Sequence, residues 1–340
     1  MRQGRSFALA MAVVVAGACG GGSQLDSASH AADALAYTAW DASSLTRSLY
    51  VVGIQGGQTR PLVRHAAGNF AWSPDGRELV FEKCHGLCDW VDLYVVGEDG
   101  SSQRRLARFG ANPAWSPRGE LIAFVRGNES VHVIGSDGAP QRQLVPRARG
   151  LRGICCPIWS PDGKRIAFSN SLGEVGIYVV DLDGGGLRRL TRSNSGTTMS
   201  WSPDGTRIAY TRFPPYDADA YVIDVSGRGV RRLTWSLRYS EDPMWSPDGR
   251  HIAFIGVQTR GGRAAVYILK WAGRGLRRLT PDRLSSGLGN PTWSPDGKKL
   301  AFGVGESIYV VAVNGGRVRM VASGGDDQGG TALAWQPAPG

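Results

Sequence analysis

Catalytic and metal-binding chemistry is sparsely provided for in this chain. Its 340 residues include five His, at positions 30, 65, 85, 132 and 251, and these do not cluster at metal-ligand spacing. The five Cys contain no CxxC pair, which argues against a zinc ribbon. Gly-x-Ser-x-Gly is absent, and with it the nucleophile elbow of an α/β serine hydrolase. No apolar run reaches the roughly twenty residues a membrane-spanning helix needs. After residue 35 no stretch keeps an apolar helical period with caps over several turns, so the chain is read as nearly helix-free.

What the chain has in abundance is one pentapeptide. Trp-Ser-Pro-Asp-Gly stands at Trp72–Gly76, Trp159–Gly163, Trp201–Gly205, Trp245–Gly249 and Trp293–Gly297. A variant with Arg118 occupies Trp115–Gly119, and a degraded copy begins at Trp335. Successive Trp residues are 43, 44, 42, 44, 48 and 42 positions apart. A fixed period of this size means one supersecondary unit stacked many times.

The unit from Pro157 to Arg192 predicts four short strands, over Pro157–Ser160, Arg165–Phe168, Gly176–Asp181 and Leu187–Thr191. The middle two are rich in Ile, Val, Phe and Tyr and apolar on both faces, as in a sheet covered on both sides. Ser160-Pro161-Asp162-Gly163 and Asp183-Gly184-Gly185 supply tight turns. The Trp is read as packing between neighbouring sheets. The result is an all-β, seven-bladed propeller. Second-strand blocks recur seven times, from Leu35–Tyr37 to Leu300–Phe302, and so do Trp strands. The first block lacks a Trp strand before it, and the Trp335 strand lacks a partner after it. Pairing the two termini closes the ring. Six blades remain the alternative if residues 35–65 pack irregularly.

The WSPDG turn and the Ile-Ala-Phe, Ile-Tyr-Val-Val and Arg-Arg-Leu-Thr strands resemble the TolB-type, WD40-like propeller repeat over residues 34–337. Proteins with this repeat include the envelope protein TolB, the propeller domains of prolyl-oligopeptidase-like enzymes and some polysaccharide lyases. The resemblance therefore implies a fold and leaves the activity open. TolB also carries an α/β domain ahead of its propeller; residues 20–33 alone separate Cys19 from the first blade, so a full TolB is not expected.

At the amino terminus, two Arg, the apolar run Phe7–Ala16 and small residues before Cys19 read as a secretory signal over residues 1–18. Ala16-Gly17-Ala18-Cys19 resembles a bacterial lipoprotein box, which implies lipidation of Cys19 and an extracytoplasmic membrane anchor. Ordinary signal cleavage stays open, because Ala16 stands where Leu is usual. Residues 19–33 read as a flexible tether. Export permits disulfides. Cys84 and Cys88 are expected to bond locally, and Cys155 and Cys156 to be free thiols or a vicinal bond.

The net charge is +10. Arginine pairs at 104–105, 188–189, 231–232 and 277–278 begin outer strands. They read either as protection of the sheet edge or as a basic rim for anionic head groups or wall polymers. Nucleic acid is not expected as a partner. The residues three before each Trp would line one channel mouth: Asn69, Asn112, Cys156, Thr198, Asp242, Asn290 and Ala332. Asn69, Asn112, Thr198, Glu241, Asp242 and Asn290 form the candidate ligand site. The rival reading is local turn initiation at Asn112-Pro113, Asp242-Pro243 and Asn290-Pro291. Loop candidates on the same face are Trp40, Asp41, His85, Trp90, Arg126, Glu129, Arg212, Tyr216, Asp217 and Tyr239. Neither catalytic residues nor a metal or other cofactor is assigned. The expected function is a monomeric binding or scaffolding module for an envelope protein or glycan. A lyase or hydrolase of envelope polysaccharide, with its site at the channel mouth, is the alternative.

Overall fold

In the unit around Trp159 the inner strand runs Arg152–Trp159, longer than its sequence pattern, and is followed by Arg165–Leu172 and Gly176–Asp181. The outer strand shrinks to Arg188–Arg189. Between the first two strands Gly163 N donates to Ser160 O at 2.9 Å, and Gly163 takes φ 70°, which a residue with a Cβ adopts at a cost. The Ser160 hydroxyl donates to Asp162 at 2.5 Å, and Asp162 accepts from Lys164 N at 3.0 Å. Burial works against ionisation of Asp162, but these bonds and Arg165 hold its carboxyl below the usual range. The same lattice forms at Ser202–Asp204, Ser246–Asp248 and Ser294–Asp296.

The computed structural model describes residues 34–41, 46–55, 59–85, 90–147, 150–192, 195–213, 218–285, 287–323 and 332–338. They form seven four-stranded antiparallel sheets and, among the described residues, no α-helix. Blades 2 to 7 span 66–107, 110–145, 152–189, 195–232, 239–278 and 292–322. Blade 1 is composite: Leu333–Trp335 pairs with Ala34–Asp41, followed by Thr46–Gly53 and Arg60–Arg64. Leu35 faces Trp335 and Tyr37 faces Leu333, so the two ends of the chain share one sheet. The proposed signal, Cys19, the tether and Cys88 lie outside the described residues.

The core divides into seven clusters, one at each interface between adjacent blades. The Trp side chains link these interfaces by hydrogen bonds. Trp115 Nε1 donates to Ala71 O, Trp159 to Ala114 O, Trp201 to Ile158 O, Trp293 to Met244 O and Trp335 to Thr292 O, at 3.0–3.3 Å. Each acceptor precedes the Trp of the preceding blade.

The arginine pairs prove to be stitching. The first member of each pair reaches the next blade: Arg104 donates to Ser136 O, Arg188 to Val225 O, Arg231 to Trp271 O and Arg277 to Val313 O. Arg319 likewise reaches Ile54 O in blade 1. The second member pairs with an acid on or just beyond its own blade: Arg105 with Asp92, Arg189 with Glu174, Arg232 with Asp219 and Arg278 with Asp282. These arginines thus hold neighbouring blades together in addition to charging the outer strands.

Candidate functional site

Strand direction separates the two ends of the channel. Inner strands start, and second strands end, on what we term the mouth face; the WSPDG turns lie on the opposite, turn face. Near the mouth each of five inner strands slips register against its neighbour, at Ala66/Phe70, Ala111/Ala114, Cys155/Ile158, Ser195/Met199 and Glu241/Met244. Asn112, Cys156 and Asp242 occupy the slip with φ of 54°, 61° and 56°. Asn and Asp tolerate this left-handed conformation better than most residues. A bulge re-aims a side chain. The Asn112-Pro113 and Asp242-Pro243 steps therefore mark bulges inside strands rather than turns before them, whereas Asn290-Pro291 lies ahead of its strand, Thr292–Trp293.

These bulges are tied together across blades by the residue after the second-strand aromatic. Glu82, in blade 2, is buried and accepts from Asn69 Nδ2 at 2.9 Å and from Asn112 N of blade 3 at 2.6 Å. Burial pushes its carboxyl up, and those two bonds oppose the rise. Thr211, in blade 5, accepts from Asp242 N of blade 6 at 3.0 Å. Cys156 Sγ lies 3.4 Å from Asn112 Oδ1, which continues the chain of contacts into blade 4. Thr198 is buried and hydrogen-bonded to the Asp242 carboxylate. Asn290 holds the corresponding position in blade 7, half-buried. Glu82 and Thr211 escaped sequence reasoning because they sit inside apolar strand blocks.

Glu241 and Asp242 place two adjacent carboxyls at the mouth, both half-buried. Tyr239 Oη donates to Glu241 at 2.5 Å. Burial, then the charge of Glu241, push Asp242 up to about 7, against the Thr198 bond. Burial also raises Glu241, opposed by Tyr239. Because Asp242 has a higher pKa folded than unfolded, the folded chain binds the extra proton between about pH 4 and 7. Its contribution to stability is greatest at low pH and is lost as pH rises through about 7. Asp242→Asn should therefore gain about 1–3 kcal/mol over wild type between pH 4 and pH 8. Denaturant midpoints of both proteins across that range check it; parallel curves would refute the assignment.

Cys155 and Cys156 are bonded to each other, with Cα atoms 3.7 Å apart, inside the bulged inner strand rather than before it. Cys155 Sγ is 3.1 Å from Ser169 Oγ. Cys84 is disulfide-bonded; Cys88, its expected partner, lies outside the described residues, as do Tyr216 and Asp217. In blade 3, Ser130, His132 and Gln141 form a line in outline like a nucleophile relay. Gln141 Nε2 donates to His132 Nδ1 at 2.6 Å, so Nε2 carries the ring proton toward Ser130, 2.9 Å away. The Ser130 hydroxyl in turn donates to Arg126 O. The imidazole thus has no lone pair directed at the hydroxyl and cannot act as its base. Burial and Arg126 hold His132 down to about 4.

At the turn face lies a cavity of about 130 Å³. Its wall is a ring of Trp and Pro, with Trp72, Trp115 and Trp159 beside Pro74, Pro117 and Pro161, continued round by the other blades. This apolar end was not anticipated, although seven Trp-x-Pro steps in the sequence announce it. Among the described residues no three of His, Cys, Asp and Glu converge as metal ligands.

Seven four-stranded blades closed through the chain ends define a β-propeller, and the repeat sequence narrows this further. The family described as the TolB beta propeller domain matches residues 111–260 and 200–335, and the chain belongs to it. TolB from Acinetobacter baumannii superposes with a TM-score of 0.56 at 20% identity, covering 86% of this chain and 79% of that one. An oligogalacturonate lyase in complex with manganese gives 0.59 at 16% identity, covering 80% and 82%. At these identities the likeness is one of fold. An uncharacterized peptidase, YuxL of Bacillus subtilis (strain 168), is 34% identical over 67 residues, 18% of this chain and 10% of its own length. The chain thus spans about a tenth of that relative.

Proposed function

We propose that this protein is an exported, monomeric propeller, lipid-anchored through Cys19, that acts without catalysis as a binding module of the cell envelope. Its mouth face engages a protein or glycan partner. One observation carries the reading. Of the eight exposed large apolar side chains among the described residues, six lie at the mouth face: Trp40, Trp90, Phe109, Leu172, Phe213 and Trp235. These side chains gather on one face of the ring, Trp90 and Phe109 in contact with each other, and apolar surface gathered in this way supports an interaction face. Capture from envelope extracts, with the native chain and with Cys19→Ser, tests the proposal. The native chain should fractionate with membranes and retain a partner; Cys19→Ser should retain the same partner from the soluble fraction. Absence of any protein or glycan at micromolar bait counts against it.

A second reading rests on the Glu241–Asp242 pair, whose unequal environments are those of an acid and a base. It makes the protein a lyase or hydrolase of acidic polysaccharide, the substrate class named for one structural neighbour. Turnover of uronate polymers that disappears in Glu241→Gln and Asp242→Asn would favour it.

A further inference from the structure

The exposed aromatics of the mouth face are held in fixed orientations, and this constrains what they meet. Trp235 follows the outer strand Arg231–Arg232 and is 73% exposed. Free rotation of such a side chain is expected, yet its Nε1 donates to Arg232 O at 3.0 Å, and the Arg232 guanidinium lies 4.7 Å from its ring centroid. Arg232 is itself immobilised. Its Nη2 contacts both oxygens of buried Asp219, at 2.9 and 2.8 Å. Thr234 also donates to Asp219 and lies 2.6 Å from Ser240 Oγ, which pinches the connector shut beneath the indole. One flat face of the ring and its polar edge are used up by the protein. The other face is presented to solvent.

Blade 2 repeats the device. Buried Asp92 accepts from Phe109 N at 2.9 Å and pairs with Arg105 and His85. Phe109 is half exposed, has Arg108 over its ring at 5.4 Å, and meets Trp90 edge-on at 6.4 Å. The two platforms stand three blades apart on the ring. Between and around them the same face exposes Arg64, Arg108, Arg152, Arg192, Arg260 and Arg283. The acids Glu129, Glu174 and Asp282 on that face are already paired, with Arg147, Arg189 and Arg278.

We propose that the mouth face binds an acidic, uronate-bearing glycan, with Trp235 as the principal stacking platform and Trp90–Phe109 as the second. This rests on the binding-module reading above and names its partner. Rigid, one-sided aromatic faces match the flat apolar faces of pyranose rings. The exposed guanidinium groups of the same face, Arg108 beside Phe109 among them, match carboxylates in geometry as well as charge. A bilayer is the other anionic surface to weigh. Membrane-interface Trp residues sit with their rings in the headgroup layer, whereas Trp235 has its polar edge committed to the backbone and a guanidinium under one face.

Affinity electrophoresis of the whole chain in polygalacturonate, in a neutral cello-oligosaccharide gel, and against phosphatidylglycerol vesicles discriminates these cases. Polygalacturonate should retard the wild type strongly and the neutral glycan weakly or not at all. Trp235→Ala, at a site this exposed, should keep the wild-type thermal midpoint and lose about tenfold in polygalacturonate affinity, equivalent to 1.4 kcal/mol. Iodide quenching of the exposed indole should fall when the glycan binds. Equal retardation of Trp235→Ala overturns the proposal, and so does vesicle binding without glycan binding. A wild-type chain that captures an envelope protein through this face but ignores polygalacturonate also overturns it, and leaves the binding-module reading standing.

Discussion

A chain ended at residue 331 is expected to lose the ring. The segment removed carries Leu333 and Trp335, 3% and 6% exposed, whose burial alone contributes about 3–6 kcal/mol. It also removes the bonds from Trp335 Nε1 to Thr292 O, from Thr38 N to Ala332 O and from Gln336 Nε2 to Gly76 O. Ala34–Asp41 would then present a bare, apolar strand edge toward the channel, a template for pairing with another chain. Against a total stability of about 5–15 kcal/mol, the losses leave little margin. The truncated chain should unfold or associate at temperatures where the full chain stays folded and unaggregated, as scattering and circular dichroism would show. The control is a permuted chain in which Trp335 runs through a Ser-Pro-Asp-Gly turn into residue 34. It makes blade 1 continuous, like the other six, and should restore the full thermal midpoint. A monomeric truncated chain with an unaltered midpoint would mean that the paired ends contribute nothing.

That closure could be read from the sequence because each half of blade 1 is recognisable alone: Leu35–Tyr37 as a second strand, Trp335 as the end of an inner one. The WSPDG turns were equally legible, since Pro, Asp and Gly each have a local conformational reason to be there. The mouth was legible only in outline. Counting three residues back from each Trp found Asn69, Asn112, Thr198, Asp242 and Asn290 at equivalent registers, but not what they do. Whether Asn112-Pro113 turns the chain or bulges it depends on Glu82, thirty residues earlier in a different blade, which accepts the Asn112 amide. Trp235 is a lone aromatic in a connector, and only the clamp between Asp219 and Arg232 makes it a fixed platform. Contacts between blades join residues about forty positions apart, where no local pattern records them.

The two faces of the ring consequently offer opposite surfaces. At the turn face lies a Trp–Pro-lined cavity that the repeat itself generates, so it follows from folding seven similar units. The mouth face differs from blade to blade: an Asp–Arg clamp in blades 2 and 5, a vicinal disulfide in blade 4, a carboxyl pair in blade 6. Variation laid over a repeated frame is consistent with the partner face proposed above, since loops on a rigid scaffold are where binding residues concentrate.

Substitutions in the Trp ring separate packing from hydrogen bonding. Trp115 and Trp72 are equally buried, at 4% exposure each, but only Trp115 has a partner for its N–H, at Ala71 O. The indole N–H of Trp245, like that of Trp72, has no acceptor. Replacement by Ala should cost about 3–5 kcal/mol at either 72 or 115, because the cavity and the lost contacts are alike. Replacement by Phe should divide them. Trp115→Phe loses a buried bond as well as part of the ring, and is expected to cost about 2–3 kcal/mol. Trp72→Phe deletes a buried donor that has no acceptor, which offsets the lost packing and leaves about 1 kcal/mol or less. Denaturant unfolding of the four variants measures both comparisons. Equal losses for the two Phe variants would show that the carbonyl ring adds nothing to the packing; a larger loss at 72 than at 115 would reverse the roles assigned to the two indoles. The expected order follows from a frame in which each blade is held to the last by one apolar wedge and, at five of seven interfaces, by the polar tip of that wedge.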